Sequence, residues 1–312
     1  MATATAREQF ESAIEHIAAD RRSEAREGLE AILVHTPDYV QARLALGVLT
    51  GGAGEPEVAR RHLRFAMEQI AVNPNLGSES LRAQVLVNLC ALALEQKDYE
   101  DVLAWEDVFG EMSEALHRQG LSQRAATILF DAANHAVEAK KGDHGQRLYM
   151  RAVELDPSFA EAWYNIAVIA SEDGSFAEGK EALRRAIVAD HTFADAHFLL
   201  GTLLLSESTA EAAECMRIAV ELAPNNPRWV TMTGSAYARL REFAKAREWF
   251  RRSLSLDDDQ ADAHLGYAVA CRALGDVIAA RGSLQKAFDL DPALATQIQG
   301  LMSEADAAAE AD

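Results

Sequence analysis

Positive charge is what this sequence has least of: 30 lysines and arginines face 49 aspartates and glutamates, a formal net charge of -19. No basic track is present to displace counterions from a nucleic acid or to hold an anionic membrane surface, so neither partner class is expected. The same acidity favours solubility and basic partners. Cysteine is scarce too. Cys90, Cys215 and Cys271 are scattered, odd in number and without any C-x-x-C, which argues against a disulfide frame or a zinc site and fits reduced core thiols. No apolar stretch approaches the roughly 18 residues that cross a bilayer. The first ten residues lack the basic-then-apolar order of a secretory signal. A cytoplasmic protein without membrane insertion is expected.

Catalytic patterns are missing as well. The nine histidines form no H-x-x-x-H or H-E-x-x-H pair, and there is no Walker loop, no G-x-G-x-x-G after a strand and no G-x-S-x-G elbow. An enzyme needs convergent nucleophiles, bases or metal ligands; none is seen, so no reaction, cofactor or metal is expected.

What remains is a helical chain with an internal repeat. Only 7 prolines and 18 glycines interrupt 312 residues rich in alanine, leucine and glutamate, which are strong helix formers. Stop signals such as Asp156-Pro157 and Asp291-Pro292 close helical runs, because proline lacks an amide hydrogen and restricts the residue before it. Aligned on those stops, Pro157, His191, Pro224, Asp258 and Pro292 recur at 34, 33, 34 and 34 residues. A small-residue column, Gly145, Gly179, Ala212, Ala246 and Ala280, keeps the same intervals, with Tyr149, Leu183, Met216, Phe250 and Leu284 four residues on. Small side chains belong where two antiparallel helices cross, and a large one four places later packs on the same face. The preceding helix carries its own small column: Ala13, Gly47, Cys90, Ala133, Ala167, Gly201, Gly234 and Ala268, at intervals of 34, 43, 43, 34, 34, 33 and 34. Eight helix pairs result.

With its clearest copy at Ala162-Trp163-Tyr164-Asn165-Ile166-Ala167, then Gly174, Gly179, Leu183 and Ala186, the chain resembles the tetratricopeptide repeat family over roughly residues 6 to 294. That resemblance implies an all-α, right-handed superhelical solenoid, with a concave groove lined by the first helix of each pair. The division expected is 6–120 for the first three units, 121–294 for units four to eight, and 295–312 for a capping helix and acidic tail, with Leu301 and Met302 inward and Glu304, Asp306, Glu310 and Asp312 outward. The nine extra residues of the two 43-residue intervals fall within 67–80 and 110–125, where Gly77, Gly110 and Gly120 suggest breaks. Longer second helices and longer loops are expected there.

Helical period places the groove residues on either side of the small column. Asn88, Asp131, Asn134 and Asn165 form a polar row, and asparagine offers both a donor and an acceptor to an extended peptide backbone. The row resembles a truncated version of the asparagine ladders of peptide-binding relatives. The family's carboxylate clamp fails, because Phe130, Asp195 and Leu199 stand where cations are required. Phe130, Tyr164 and Phe198 add an apolar floor, Glu161 adds negative charge, and Arg228 and Arg239 make later units more basic. The expected function is an adaptor or scaffold that binds a basic and hydrophobic peptide or helix of another protein. Self-assembly, in which units of one copy dock onto another, is the second reading.

Overall fold

The structure, a computed structural model, describes the backbone of residues 2–296, 298 and 299, so the capping segment expected over 295–312 lies outside the described residues from position 300. The described residues form eighteen α-helices, two short 3-10 turns and no strand. In chain order the helices are α1 (Ala2–Ala18), α2 (Arg22–His35), α3 (Val40–Gly52), α4 (Pro56–Val72), α5 (Glu79–Glu95), α6 (Tyr99–Ala104), α7 (Glu106–Glu111), α8 (Ser113–Arg118) and α9 (Ser122–Glu138). There follow α10 (Gly142–Leu155), α11 (Ala160–Glu172), α12 (Phe176–Ala189), α13 (Ala194–Leu204), α14 (Thr209–Leu222), α15 (Pro227–Arg239), α16 (Phe243–Leu256), α17 (Ala261–Ala273) and α18 (Val277–Leu290). Contacts divide the chain after Ile169, within α11, into two compact units.

The small columns do what their size allows. In the first unit a Cβ on Gly47 would lie 2.5 Å from Leu63, so α3 and α4 touch where that residue is glycine. In the second unit a Cβ on Gly201 would meet Met216 at 2.8 Å and the Ala212 carbonyl at 2.9 Å, joining three columns at one crossing. The buried ring of Phe250 fills the space beside Gly234 and Gly266. Close packing of this kind, repeated pair by pair, is the core.

Seven of the eight turns between a first and a second helix use one left-handed residue. Asp20, Gly54, Lys97, Lys140, Gly174, Arg241 and Gly275 all have φ between 55° and 82°. The α13–α14 turn has no such residue. That turn carries the lone 33-residue interval, so the residue deleted there is the left-handed one.

Second helices end on a repeated carboxylate or amide. Asp156, Asp190, Asp257 and Asp291 accept the backbone N–H two residues on, at 2.8–3.1 Å, and Asn73 does the same at 3.2 Å. This side-chain turn satisfies a backbone N–H in the link that follows the helix.

The two long intervals depart from expectation. In the first, α4 runs to 17 residues and α5 begins early, also with 17. A short Pro74–Leu76 turn sits between them. In the second there is no longer loop: the second helix of unit three is cut into three six-residue segments, α6 to α8, and α9 again starts early. The cuts fall at Trp105 and Met112, near φ -100°, ψ 5°. Gly110, expected at a break, sits inside α7. There a Cβ would collide with the Arg151 guanidinium at 2.5 Å, so glycine makes room for a cation from α10.

Candidate functional site

The position one residue after the small column faces away from the second helix. In the first two repeats that position holds Ile14 and Val48, which are 41% and 53% exposed. With Phe10, Ile17, Leu44 and Leu81 they line a concavity of about 620 Å³ across α1, α3 and α5. The Gln41 and Gln84 amides also line it, and the ion-paired Asp20 and Arg22, 2.9 Å apart, mark one edge. The arrangement offers apolar anchoring with two amides able to pair a backbone, which is how a pocket combines affinity with orientation.

The expected polar row is engaged within the chain. Asn165 donates to the Tyr149 hydroxyl at 3.0 Å and to the Asn134 carbonyl oxygen at 3.4 Å. The Tyr149 hydroxyl donates to that same Asn134 oxygen. Burial pushes the Tyr149 phenol up, against the pull of the Asn165 bond. The two asparagines therefore tie α9, α10 and α11 together. Loss of either asparagine would disturb packing between these helices. Asn88 donates to the Gln84 carbonyl at 2.8 Å and accepts from Arg124 at 3.3 Å. Phe130 packs its ring between Tyr149 at 5.5 Å and Phe159 at 4.7 Å. Tyr164 is half-buried, and Asp131 and Glu161 are exposed. Partial burial pushes the Asp131 carboxyl above its ordinary value, with His135 acting the other way.

Phe198, Arg228 and Arg239 belong to the second unit. Phe198 stacks on Trp229 at 4.5 Å, and the two arginines are exposed.

One column went unread. Four residues before the small position, Arg43, Trp163, His197 and His264 each place a side-chain nitrogen on the carbonyl six residues back, that of Pro37, Pro157, His191 and Asp258, at 3.0, 3.0, 3.1 and 2.9 Å. A carbonyl only accepts, so the imidazoles donate through Nε2. Val230 occupies the equivalent place in α15 and has no donor; Arg252 reaches the Pro224 carbonyl instead, at 3.4 Å. The histidines at these positions are structural pins.

Among the described residues no group of three or more histidine, cysteine, aspartate or glutamate side chains is placed to hold a metal, and no helix is long and apolar enough to cross a membrane. Tetratricopeptide repeat models match residues 148–181, 170–227 and 206–261. Residues 148–261 are tetratricopeptide repeats. The chain is 26% identical over 140 residues to the anaphase-promoting complex subunit CDC16 of Saccharomyces cerevisiae, covering 44% of this chain and 16% of that protein. It is 29% identical over 119 residues to anaphase-promoting complex subunit 3 of Schizosaccharomyces pombe, covering 37% and 18%. The matched segments thus span less than a fifth of the length of these curated relatives. Among solved structures, YrrB, a TPR protein with an unusual peptide-binding site, aligns with TM-score 0.51 at 24% identity, over 57% of this chain and 91% of its own. The MamA RS-1 ArsTM double mutant aligns with TM-score 0.50 at 15% identity, over 54% and 96%. At those identities the likeness is one of fold.

Proposed function

We propose that this repeat protein is a protein–protein interaction scaffold that holds an apolar segment of a partner in the concavity across α1, α3 and α5. The observation that carries the reading is the exposure of Ile14 and Val48 on an apolar floor of first helices. Apolar side chains left in water cost free energy that a docked partner recovers, at about 25 cal/mol per Å² buried. A chain of net charge -19 favours a partner segment with basic residues beside its apolar anchors. Asp131 and Glu161, exposed on α9 and α11, are carboxylates such a segment would meet. The repeat fold and the partial likeness to subunits of a multiprotein complex support a scaffold role.

A photo-crosslinking amino acid in place of Val48 tests this in native lysate, with Glu181 on α12 as the control position. The expected result is an adduct with a different protein from position 48, reduced by Ile14→Asp and absent from position 181. Adducts only with a second copy of this chain would replace the reading by self-assembly. Equal adducts at both positions would remove the concavity from the account.

A further inference from the structure

Between Arg228 and Arg252 the acidic chain reverses its charge. This stretch holds seven basic residues and two acidic ones. It forms one helix hairpin, α15 and α16, in the second unit. Its carboxylates are already taken: Glu242 pairs with Lys245 at 2.5 Å and Glu248 pairs with Arg251. Arg228, Arg239, Arg241 and Arg247 have no ion pair or side-chain hydrogen bond among the described residues. Elsewhere arginines such as Arg60, Arg147 and Arg217 each hold a carboxylate. With two carboxylates against seven cations, the hairpin carries a net positive charge in an otherwise acidic chain.

The surface has shape as well as charge. Glu248, Trp249, Arg251, Arg252 and Ser255 share one face of α16 and line a shallow concavity of about 620 Å³. Trp249 is held parallel to Tyr237, 6.4 Å apart at 6°, and the Arg252 guanidinium lies 5.3 Å from the Trp249 ring centre. The same guanidinium reaches the Pro224 carbonyl, so indole and cation are both fixed before any ligand arrives. Thr231 and Ser253 are 2.7 Å apart, which brings the start of α15, with Arg228, to this end of the hairpin. Arg239, Arg241 and Arg247 carry positive charge to the other end.

We propose that the α15–α16 hairpin is a second interaction surface, which takes an acidic segment of a protein, with carboxylates on Arg251, Arg252 and Arg228 and an apolar side chain against Trp249. Planar guanidinium groups pair carboxylates in two-point geometry, and aromatic neighbours favour such cations. A nucleic acid fits less well. The fourteen-residue α16 is about 21 Å long, so a longer polyanion would run onto negative surface. This inference stands apart from the α1–α3–α5 reading.

Fluorescence anisotropy on the full chain tests it with a labelled peptide of about six residues, rich in glutamate with one central tryptophan, which spans about 20 Å when extended. The expected result is binding at low salt that weakens about fivefold or more in Arg228→Glu/Arg251→Glu. It should be unchanged in Arg61→Glu, a single charge reversal on α4 outside the hairpin. Arg239→Glu/Arg241→Glu provides a second variant pair at the other end of the hairpin, expected to weaken binding in the same direction. No peptide binding, equal loss in Arg61→Glu, or equally tight binding of single-stranded oligothymidylate would each overturn the proposal.

Discussion

Gly201 and Gly282 are both helical glycines, and their surroundings set opposite fates. A methyl on Gly201 falls 2.9 Å from the Ala212 carbonyl, whereas nothing lies within 4 Å of the site on Gly282. Gly201→Ala should therefore cost about 1–3 kcal/mol through overpacking, and Gly282→Ala should be neutral or stabilise by about 0.5–1 kcal/mol through helix propensity. Urea denaturation of the two variants checks this; equal midpoints would mean that the small column does not mark the helix crossing. Asn165→Ala should lower stability by about 0.5–1.5 kcal/mol through loss of the Tyr149 bond, read by the same titration. Residue size was legible in the sequence, because Gly47, Ala133 and Gly201 share a type as well as a place. The carbonyl pins were not. Arg43, Trp163 and His197 share only a nitrogen at a certain reach, which an alignment by residue class does not reveal. The asparagine row was legible as polar, but its neighbour Tyr149 lies on another helix, so sequence spacing alone hid their union.

At the scale of elements, α6 to α8 stand out. Among the described residues Trp105 Nε1, His144 Nδ1 and Arg151 Nε are buried without a hydrogen bond, and all lie on the broken helix or on α10. Arg147 holds Glu106 by an ion pair at 2.6 Å. Buried polar groups without partners mark a segment held less firmly than its neighbours. Amide exchange over 99–118 should be faster than over α16, and equal protection would contradict that. Ahead of the break, Arg60 binds Asp98 and Asp101. Burial alone would raise the Asp98 carboxyl, but the Arg60 guanidinium and the Asp101 amide hold it below its ordinary value of 3.8. A carboxyl depressed in the fold stabilises above its unfolded value and loses that contribution as pH falls through the folded one. Arg60→Ala should thus lower Tm at pH 7, and the difference should shrink at about pH 3. A constant difference would show that the pair adds nothing through charge. The 43-residue intervals were legible as lengths. Their distribution was not, because four residues added to the start of α9 and a helix cut at Trp105 leave no glycine or proline behind.

The molecule as a whole combines a repeated core with surfaces that do not repeat. Repetition made the fold readable, since every pair must solve the same packing problem. The binding faces are free of that constraint, and the apolar concavity lies in units whose groove column begins with Ile14 and Val48 rather than with the asparagines that drew attention. Salt should separate the two proposed surfaces. Binding at α15–α16 should weaken steeply as screening shortens to roughly 8 Å near physiological ionic strength, while docking on α1, α3 and α5, anchored by apolar side chains, should weaken less. The most direct measurement of the central claim is the affinity of the partner segment crosslinked at position 48, for the wild type and for Ile14→Asp/Val48→Asp. Both side chains are solvent-exposed, so Tm should stay within a few degrees. Affinity should fall about thirtyfold or more, as for loss of an apolar anchor worth about 2 kcal/mol. Unchanged affinity in a folded double variant would contradict the account.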